Sequence, residues 1–251
     1  MNNTVRPYIN PGYMKQAHAA YEPLFKDNID VAVINIGHED LSRYKLVIVP
    51  GMYLLDAASR TNLRKFVADG GTVIMTAQSD KVDDNNQWFD TPLPGGLTDV
   101  FGLRTNAFYN AGTLQTTIGG EEVKAELGPY EVLEPSSADV LARFSNTDGN
   151  VPAITVNRFG KGRAIYVATA AQPKLMGPLY RQLYESLGIE PGPKTPEGVY
   201  ARVVAGRTLY VNTTGESKDV AIGGTMNGVL TGKRWSGVLR LDPLGVDLLE
   251  K

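Results

Sequence analysis

The sequence has no cysteine in 251 residues, which excludes disulfides, thiolate metal sites and a cysteine nucleophile whatever the fold. Histidine is nearly as scarce: His18 and His38 are the only two imidazoles. A catalytic zinc site generally wants three protein ligands at defined spacing, so no metal and no cofactor is expected. An excess of one charge is also missing. Twenty-five basic residues face 27 acidic ones, interspersed throughout, for a net charge of -2. Neither nucleic acid nor an anionic membrane finds an electrostatic footprint there. No run of about 18 apolar residues occurs, and the opening MNNTVRPYINPGYMK has no apolar centre. Neither an export signal nor a membrane span is expected. Zero cysteine suits cytosol and periplasm alike, so the compartment stays open, with the cytoplasm slightly favoured.

What is present is enough for a core, since 42% of the residues are hydrophobic. Met14, Ala17, Tyr21, Leu24 and Phe25 recur at helical spacing and predict a first helix over 14–25. Segments 30–36 (DVAVINI) and 45–50 (KLVIVP) are β-branched and too apolar for a half-exposed strand, which predicts two buried parallel strands. Asp56 is placed to cap a helix whose inner face is Leu63, Phe66 and Val67. Gly70-Gly71 ends that helix before the strand pattern resumes at 72–77. Residues 96–101 suggest a short helix closed by Gly102. The stretch to about residue 148 reads as extended, with turns at Gly119-Gly120 and Gly128-Pro129. Residues 151–156 and 163–169 flank Gly160-Lys161-Gly162 as a hairpin, so the sheet is expected to turn partly antiparallel.

A last helix over 176–187 stops at Gly188, and Pro191, Gly192, Pro193 and Pro196 then break regular structure. The expected domains are 1–192 and 193–251. Short strands at 199–204, 207–212, 219–222, 228–230 and 238–249 give the second an all-β composition. About 55 residues is marginal for an independent core.

The strand-to-turn segment 47–56 (VIVPGMYLLD) stands where an amidotransferase carries its nucleophile elbow, and the nucleophile's place falls to Met52. A thioether cannot ionise into a nucleophile, and the nearest hydroxyl, Ser59, is about two helical turns further on. His18 reads as a packed or half-exposed histidine, and His38-Glu39-Asp40 as a solvated loop. Gly160-Lys161-Gly162 is too short for a phosphate loop. Asp83-Asp84 and Glu121-Glu122 are adjacent in sequence. In extended structure such neighbours point opposite ways and cannot flank a glycosidic bond. Asn2 and Asn212 fit the glycosylation acceptor pattern as coincidences.

The polar loop 78–90 follows a buried strand and ends in aromatics, where α/β folds place ligand and partner contacts. Asp83, Asn85, Trp88 and Phe89 are its candidate ligand or interface residues. The competing reading has the aromatics covering the sheet edge. Trp235 is a further candidate, for stacking on a sugar ring.

Taken in order, Tyr44 to Pro50 (YKLVIVP), Leu54-Leu55-Asp56, Leu63 to Val73 (LRKFVADGGTV), Asp83 with Asn85, Gly96-Leu97 with Phe101-Gly102, and Phe159 to Tyr166 (FGKGRAIY) resemble the trimerisation domain of family 42 β-galactosidases. Leu230-Thr231-Gly232 and 241–249 resemble that family's small C-terminal β domain. The resemblance implies a flavodoxin- or class I glutamine-amidotransferase-like α/β fold, a mostly parallel sheet with helices on both faces, followed by a small antiparallel β-sandwich. It further implies a non-catalytic role. The family's two catalytic glutamates sit on a (β/α)8 barrel of about 250 residues, for which these 251 have no room, so no catalytic residue carries over. Self-association as a homotrimer, each domain able to wall a neighbouring barrel's active site, is what the family implies for partners. Two alternatives stay open: a stand-alone carbohydrate- or small-ligand-binding module with a dead amidotransferase-like fold, and a hydrolase with an unrecognised nucleophile. The chain is either a barrel-less relative or a piece of a longer enzyme that hydrolyses β-galactosides.

Overall fold

The computed structural model describes residues 12–125 and 128–251, which form two compact units. Of these, the first comprises 12–21 with the described residues of 33–189, and the second comprises 22–32 with 190–251.

The first unit is built on a five-stranded mixed sheet. Its strands are β1 (Leu46–Val49), β2 (Thr72–Thr76), β7 (Asp139–Arg143), β8 (Pro152–Phe159) and β9 (Gly162–Val167), in the order β1-β2-β9-β8-β7. β1, β2 and β9 run parallel, while β8 and β7 are antiparallel additions, so the sheet is half antiparallel rather than mostly parallel. The hairpin at residues 160–161 causes this, because a two-residue turn can only join antiparallel neighbours. β2 is buried along its whole length, as its apolar run requires.

Helix α2 (Ala57–Ala68) starts where Asp56 accepts the Ser59 amide at 2.7 Å, and it buries Leu63, Phe66 and Val67. Burial of side chains this size contributes about 1.5–3 kcal/mol each. The short helix α3 (Thr98–Phe101) and the long α4 (Pro173–Leu187) both end on a left-handed glycine, Gly102 and Gly188. Two ribbons complete the unit. β3 (Leu103–Ala111) pairs with β6 (Gly128–Pro135), and β4 (Leu114–Ile118) pairs with β5 (Glu121–Ala125) across the turn at Gly119-Gly120. Gly128-Pro129, expected as a turn, begins β6 instead.

Two further expectations fail. Segment 30–36 belongs to no strand, and Val33 is 93% exposed. An apolar run states a preference for burial, but a strand exists only through a ladder, and among the described residues β1 pairs with β2 alone. In α1 (Tyr13–Lys26) the buried face is Gln16, Ala20 and Leu24, while Met14 is exposed. The rotation follows from Gln16, whose amide oxygen accepts the Thr76 hydroxyl and the Ala171 amide, each at 3.4 Å.

The second unit is one antiparallel sheet and not a two-layer sandwich. Strands β10 (Val199–Val204), β11 (Arg207–Asn212), β12 (Lys218–Gly228), β13 (Arg234–Leu241) and β14 (Val246–Glu250) run in the order β10-β11-β14-β12-β13. The expected strand 219–222 lies within β12, which runs on to Gly228, while 229–230 of the expected strand 228–230 form a turn. The expected 238–249 is split by a turn whose Gly245 amide donates to Asp242 O. Val199, Ala201, Tyr210, Val220, Ile222, Leu239, Leu241 and Leu249 form its core. Segment 22–32 is tied in by Asn28, which accepts the Ala201 amide at 2.8 Å and donates to Pro193 O at 2.8 Å.

Candidate functional site

The C-terminal ends of β1 and β2 are the place to look for chemistry in such a sheet. After β1 the chain turns through Pro50 and Gly51, and Gly51 takes φ +58, a conformation that suits glycine. In a working elbow the amides at this turn would face a reacting oxyanion. Here they are occupied. The Gly51 amide donates to the Thr76 hydroxyl at 2.9 Å, and the Met52 amide donates to the Ser79 hydroxyl at 3.1 Å. Ser79 in turn donates to Val49 O at 3.3 Å. With a thioether at position 52 and the Gly51 and Met52 amides satisfied internally, this turn offers no nucleophile and no free donor at those two amides.

The loop after β2 carries a cluster that the sequence does not announce. Lys81 and Glu131 form an ion pair at 2.8 Å with both side chains 2% exposed. Glu131 also accepts the Gln78 amide at 2.9 Å, Gln78 Nε2 at 3.2 Å and the Tyr166 hydroxyl at 2.7 Å. Lys81 adds a bond to Thr105 Oγ1 at 3.1 Å. Burial, with the neighbouring Glu131 carboxylate, raises the Tyr166 hydroxyl well above its ordinary pKa. Every partner in this group is a neighbour in the fold, so the cluster reads as a polar staple between β6, β9 and the loop.

Asp80 is less well provided for. It is fully buried, with Oδ1 3.2 Å from Arg60 Nη1 and Oδ2 without any partner. Burial pushes its carboxyl up to about 7, although Arg60 and Lys81 pull the other way.

The candidates from sequence fall into two groups. Asp83 and Asn85 form a turn: Asp83 Oδ1 accepts the Asn85 and Gln87 amides, both at 2.9 Å, which accounts for the aspartate locally. Trp88 is 47% exposed and sits edge-on to Tyr53 at 6.1 Å, beside exposed Leu54. Phe89 packs against Gly95, with the Arg60 guanidinium 5.2 Å above its ring. Trp88 and Phe89 are thus brought to one end of the sheet, and Arg60 links Phe89 to Asp80. Asp80, Lys81, Arg60, Glu131 and Tyr166 were missed. Charges directly after a fully apolar strand were the only available signal.

The remaining candidates have plain structural roles. His18 and His38 are exposed, as are Asp84, Glu121 and Glu122. Among the described residues no group of three His, Asp or Glu side chains is placed to hold a metal. Asn2 lies outside the described residues. Asn212 is buried and bonded to Glu216 O and Asp242 O. Trp235, expected to offer a stacking face, packs against its sheet's core and carries Lys233 Nζ 5.5 Å from its ring centroid. Its indole N–H is spent on Asp247 Oδ2 at 2.8 Å. These contacts account for the partly buried ring as packing within its own sheet.

Residues 1–190 match the family described as the β-galactosidase trimerisation domain. The β-galactosidase BgaA of a Planococcus species is 30% identical over 260 residues, covering 98% of this chain and 38% of that protein. BgaB from a Geobacillus species is 30% identical over 201 residues, covering 77% of this chain and 29% of its own. The crystal structure of a β-galactosidase from Bacillus circulans sp. alkalophilus superposes with a TM-score of 0.87 at 29% identity, covering 96% of this chain and 38% of the enzyme. A β-galactosidase from Rahnella sp. R3 gives 0.83 at 26% identity, with 94% and 36% covered. The chain therefore spans between 29% and 38% of the length of these relatives.

Proposed function

The chain belongs to the β-galactosidase trimerisation domain family, and from that membership we propose that it is the assembly region of a family 42 β-galactosidase. It contributes no reacting group of its own. In a full-length enzyme of this kind the hydrolysis of terminal β-galactosides belongs to the length these residues do not span. The observation that carries the proposal is the closed elbow: Met52 in the nucleophile's place, and Thr76 and Ser79 on the Gly51 and Met52 amides. We read the first unit as an amidotransferase-like fold kept for its shape. Its surface then becomes the functional part. The apolar group of Tyr53, Leu54 and Trp88, on a polar loop at the end of the parallel strands, is the patch we assign to contact between copies.

Two measurements test this. Sedimentation across a wide concentration range is expected to show mass rising toward three copies, since association through this region alone lacks whatever contacts the rest of the enzyme adds toward the ~1,200–2,000 Å² of a typical stable interface. Trp88→Glu is expected to weaken association by roughly tenfold or more, because it places a charge in an apolar contact. A strict monomer at the highest concentration, or no effect of the substitution, overturns the assignment. Separately, the pure chain is expected to leave a nitrophenyl β-galactoside intact. Turnover that persists after a change of expression host refutes the non-catalytic reading.

A further inference from the structure

We propose that Asp80 is a proton-controlled latch on loop 78–89: neutral Asp80 keeps the loop closed as observed, and its ionisation releases the loop together with Phe89 and Trp88.

The case begins with geometry. Asp80 has no exposed surface, and its Oδ2 has no donor within reach. A buried neutral carboxyl with one bare oxygen is tolerable, whereas a buried carboxylate in that position lacks half of its usual solvation. The backbone beneath it is strained as well, since Gln78 and Asp80 both hold positive φ, +65 and +54, without being glycine. Such conformations persist where surrounding bonds impose them. Here the Asp80 amide donates to Met52 O at 2.9 Å, and Asp80 O accepts the Gly95 amide at 3.0 Å. The closed loop therefore combines an under-solvated carboxyl with stored backbone strain, and opening relieves both.

Arg60 supplies the connection to the surface. Its guanidinium bonds Leu55 O and Asp80 Oδ1 and lies over the Phe89 ring, while its side chain is 18% exposed and so already reaches water. A loop that opens at Asp80 strips Arg60 of one partner and frees Phe89, the residue next to Trp88. The groups facing Asp80 are few. Arg60 comes from α2, Lys81 is its chain neighbour, and Tyr166 comes from β9 with its hydroxyl tied to Glu131 of β6. Segments 51–55 and 93–97, which touch it through Met52 O and Gly95 N, add Tyr53 alone.

The direction follows from linkage. The carboxyl titrates near 7 in the closed loop against an ordinary 3.8, a raised value. The closed state's advantage is then complete at acid pH and is lost as pH rises through neutrality. Ionisation can shift the balance toward the open loop by up to about a thousandfold, the ratio set by those two values. The latch works within one chain, so it is independent of the assembly reading and is tested at concentrations where the chain is monomeric.

The experiment uses the whole chain labelled with 5-fluorotryptophan, since Trp88 and Trp235 are its only tryptophans and give two fluorine resonances, assigned with Trp88→Phe. Between about pH 5 and about pH 9 the Trp88 resonance is expected to move in a single transition, while Trp235 serves as the internal control. Asp80→Asn, which stays neutral, is expected to hold Trp88 at its acid-side position throughout. Arg60→Gln removes the bonds that oppose opening and is expected to move the transition to lower pH. A flat Trp88 resonance in the unsubstituted chain, or the same transition in Asp80→Asn, overturns the proposal. Should Asp80→Asn fail to fold, an Arg60→Gln transition unchanged in position overturns it equally.

Discussion

Replacing Lys81 with methionine is expected to lower the stability of the first unit by about 3–5 kcal/mol, the range for breaking one side of a buried ion pair. The chemistry of the pocket argues for the upper part of that range. Both side chains are 2% exposed, so the Glu131 carboxylate left behind has no route to water. Its remaining donors, the Gln78 amide, Gln78 Nε2 and the Tyr166 hydroxyl, are all neutral. The pair differs in this from the surface ion pairs of the same unit. Lys65 with Asp69, whose side chains are more than half exposed, contributes little by comparison. Combining Lys81→Met with Glu131→Gln is expected to recover about half of the loss, because the amide oxygen still accepts from Tyr166 and no charge is stranded. Hydrogen exchange at the amides of β2 and β9 reads this unit directly. A cost below about 1 kcal/mol for the single variant contradicts a dry, closed cluster.

That cluster also marks the limit of what can be read from the chain alone. Local chemistry was legible wherever one residue acts on its own neighbourhood. Asp56 caps α2, Gly102 and Gly188 stop their helices, and the glycines at 160 and 162 close a hairpin. Each effect spans four residues or fewer. The apolar run TVIMT needed no partner information either, since a strand without a polar face has to be covered on both sides. Segment 30–36 has nearly the same composition and is not a strand, because composition says nothing about whether a ladder position is filled. Glu131 lies 50 residues beyond Lys81 in a strand whose sequence, YEVLEP, looks half-exposed. Only the register of β6 beside the sheet turns that carboxylate inward. At the turn after β1 the reverse holds. The thioether of Met52 was readable from the chain, whereas the occupation of the Gly51 and Met52 amides by Thr76 and Ser79 depends on how the two loops meet.

The hairpin glycines lead to the other large expected effect, on Gly162→Ala. A methyl group there would lie 2.2 Å from Gly71 O and 2.3 Å from Val67 O, with the Gly70 carbonyl carbon at 3.0 Å. All three are backbone atoms, so no side-chain rotation relieves the overlap. The atoms belong to the end of α2 and the turn into β2, a corner held to the hairpin by Lys161 N to Ala68 O at 2.9 Å and Arg163 N to Gly71 O at 3.1 Å. Making room for the methyl means separating β9 from that corner and giving up those bonds. The expected cost is about 3 kcal/mol or more, at the top of the range for overpacking. β9 also carries Tyr166, in register between Met75 of β2 and Thr155 of β8, so any displacement is passed to the bond that the Tyr166 hydroxyl donates to Glu131. Gly112→Ala is the matched control, since among the described residues nothing lies within 4 Å of its added methyl and its φ is outside the left-handed region; it is expected to stay within about 0.5 kcal/mol of the unsubstituted chain. Chemical unfolding of the two variants side by side separates close backbone approach from the general effect of losing a glycine. Equal stabilities would show that the corner between α2 and β9 yields more easily than its 2.2 Å gap allows.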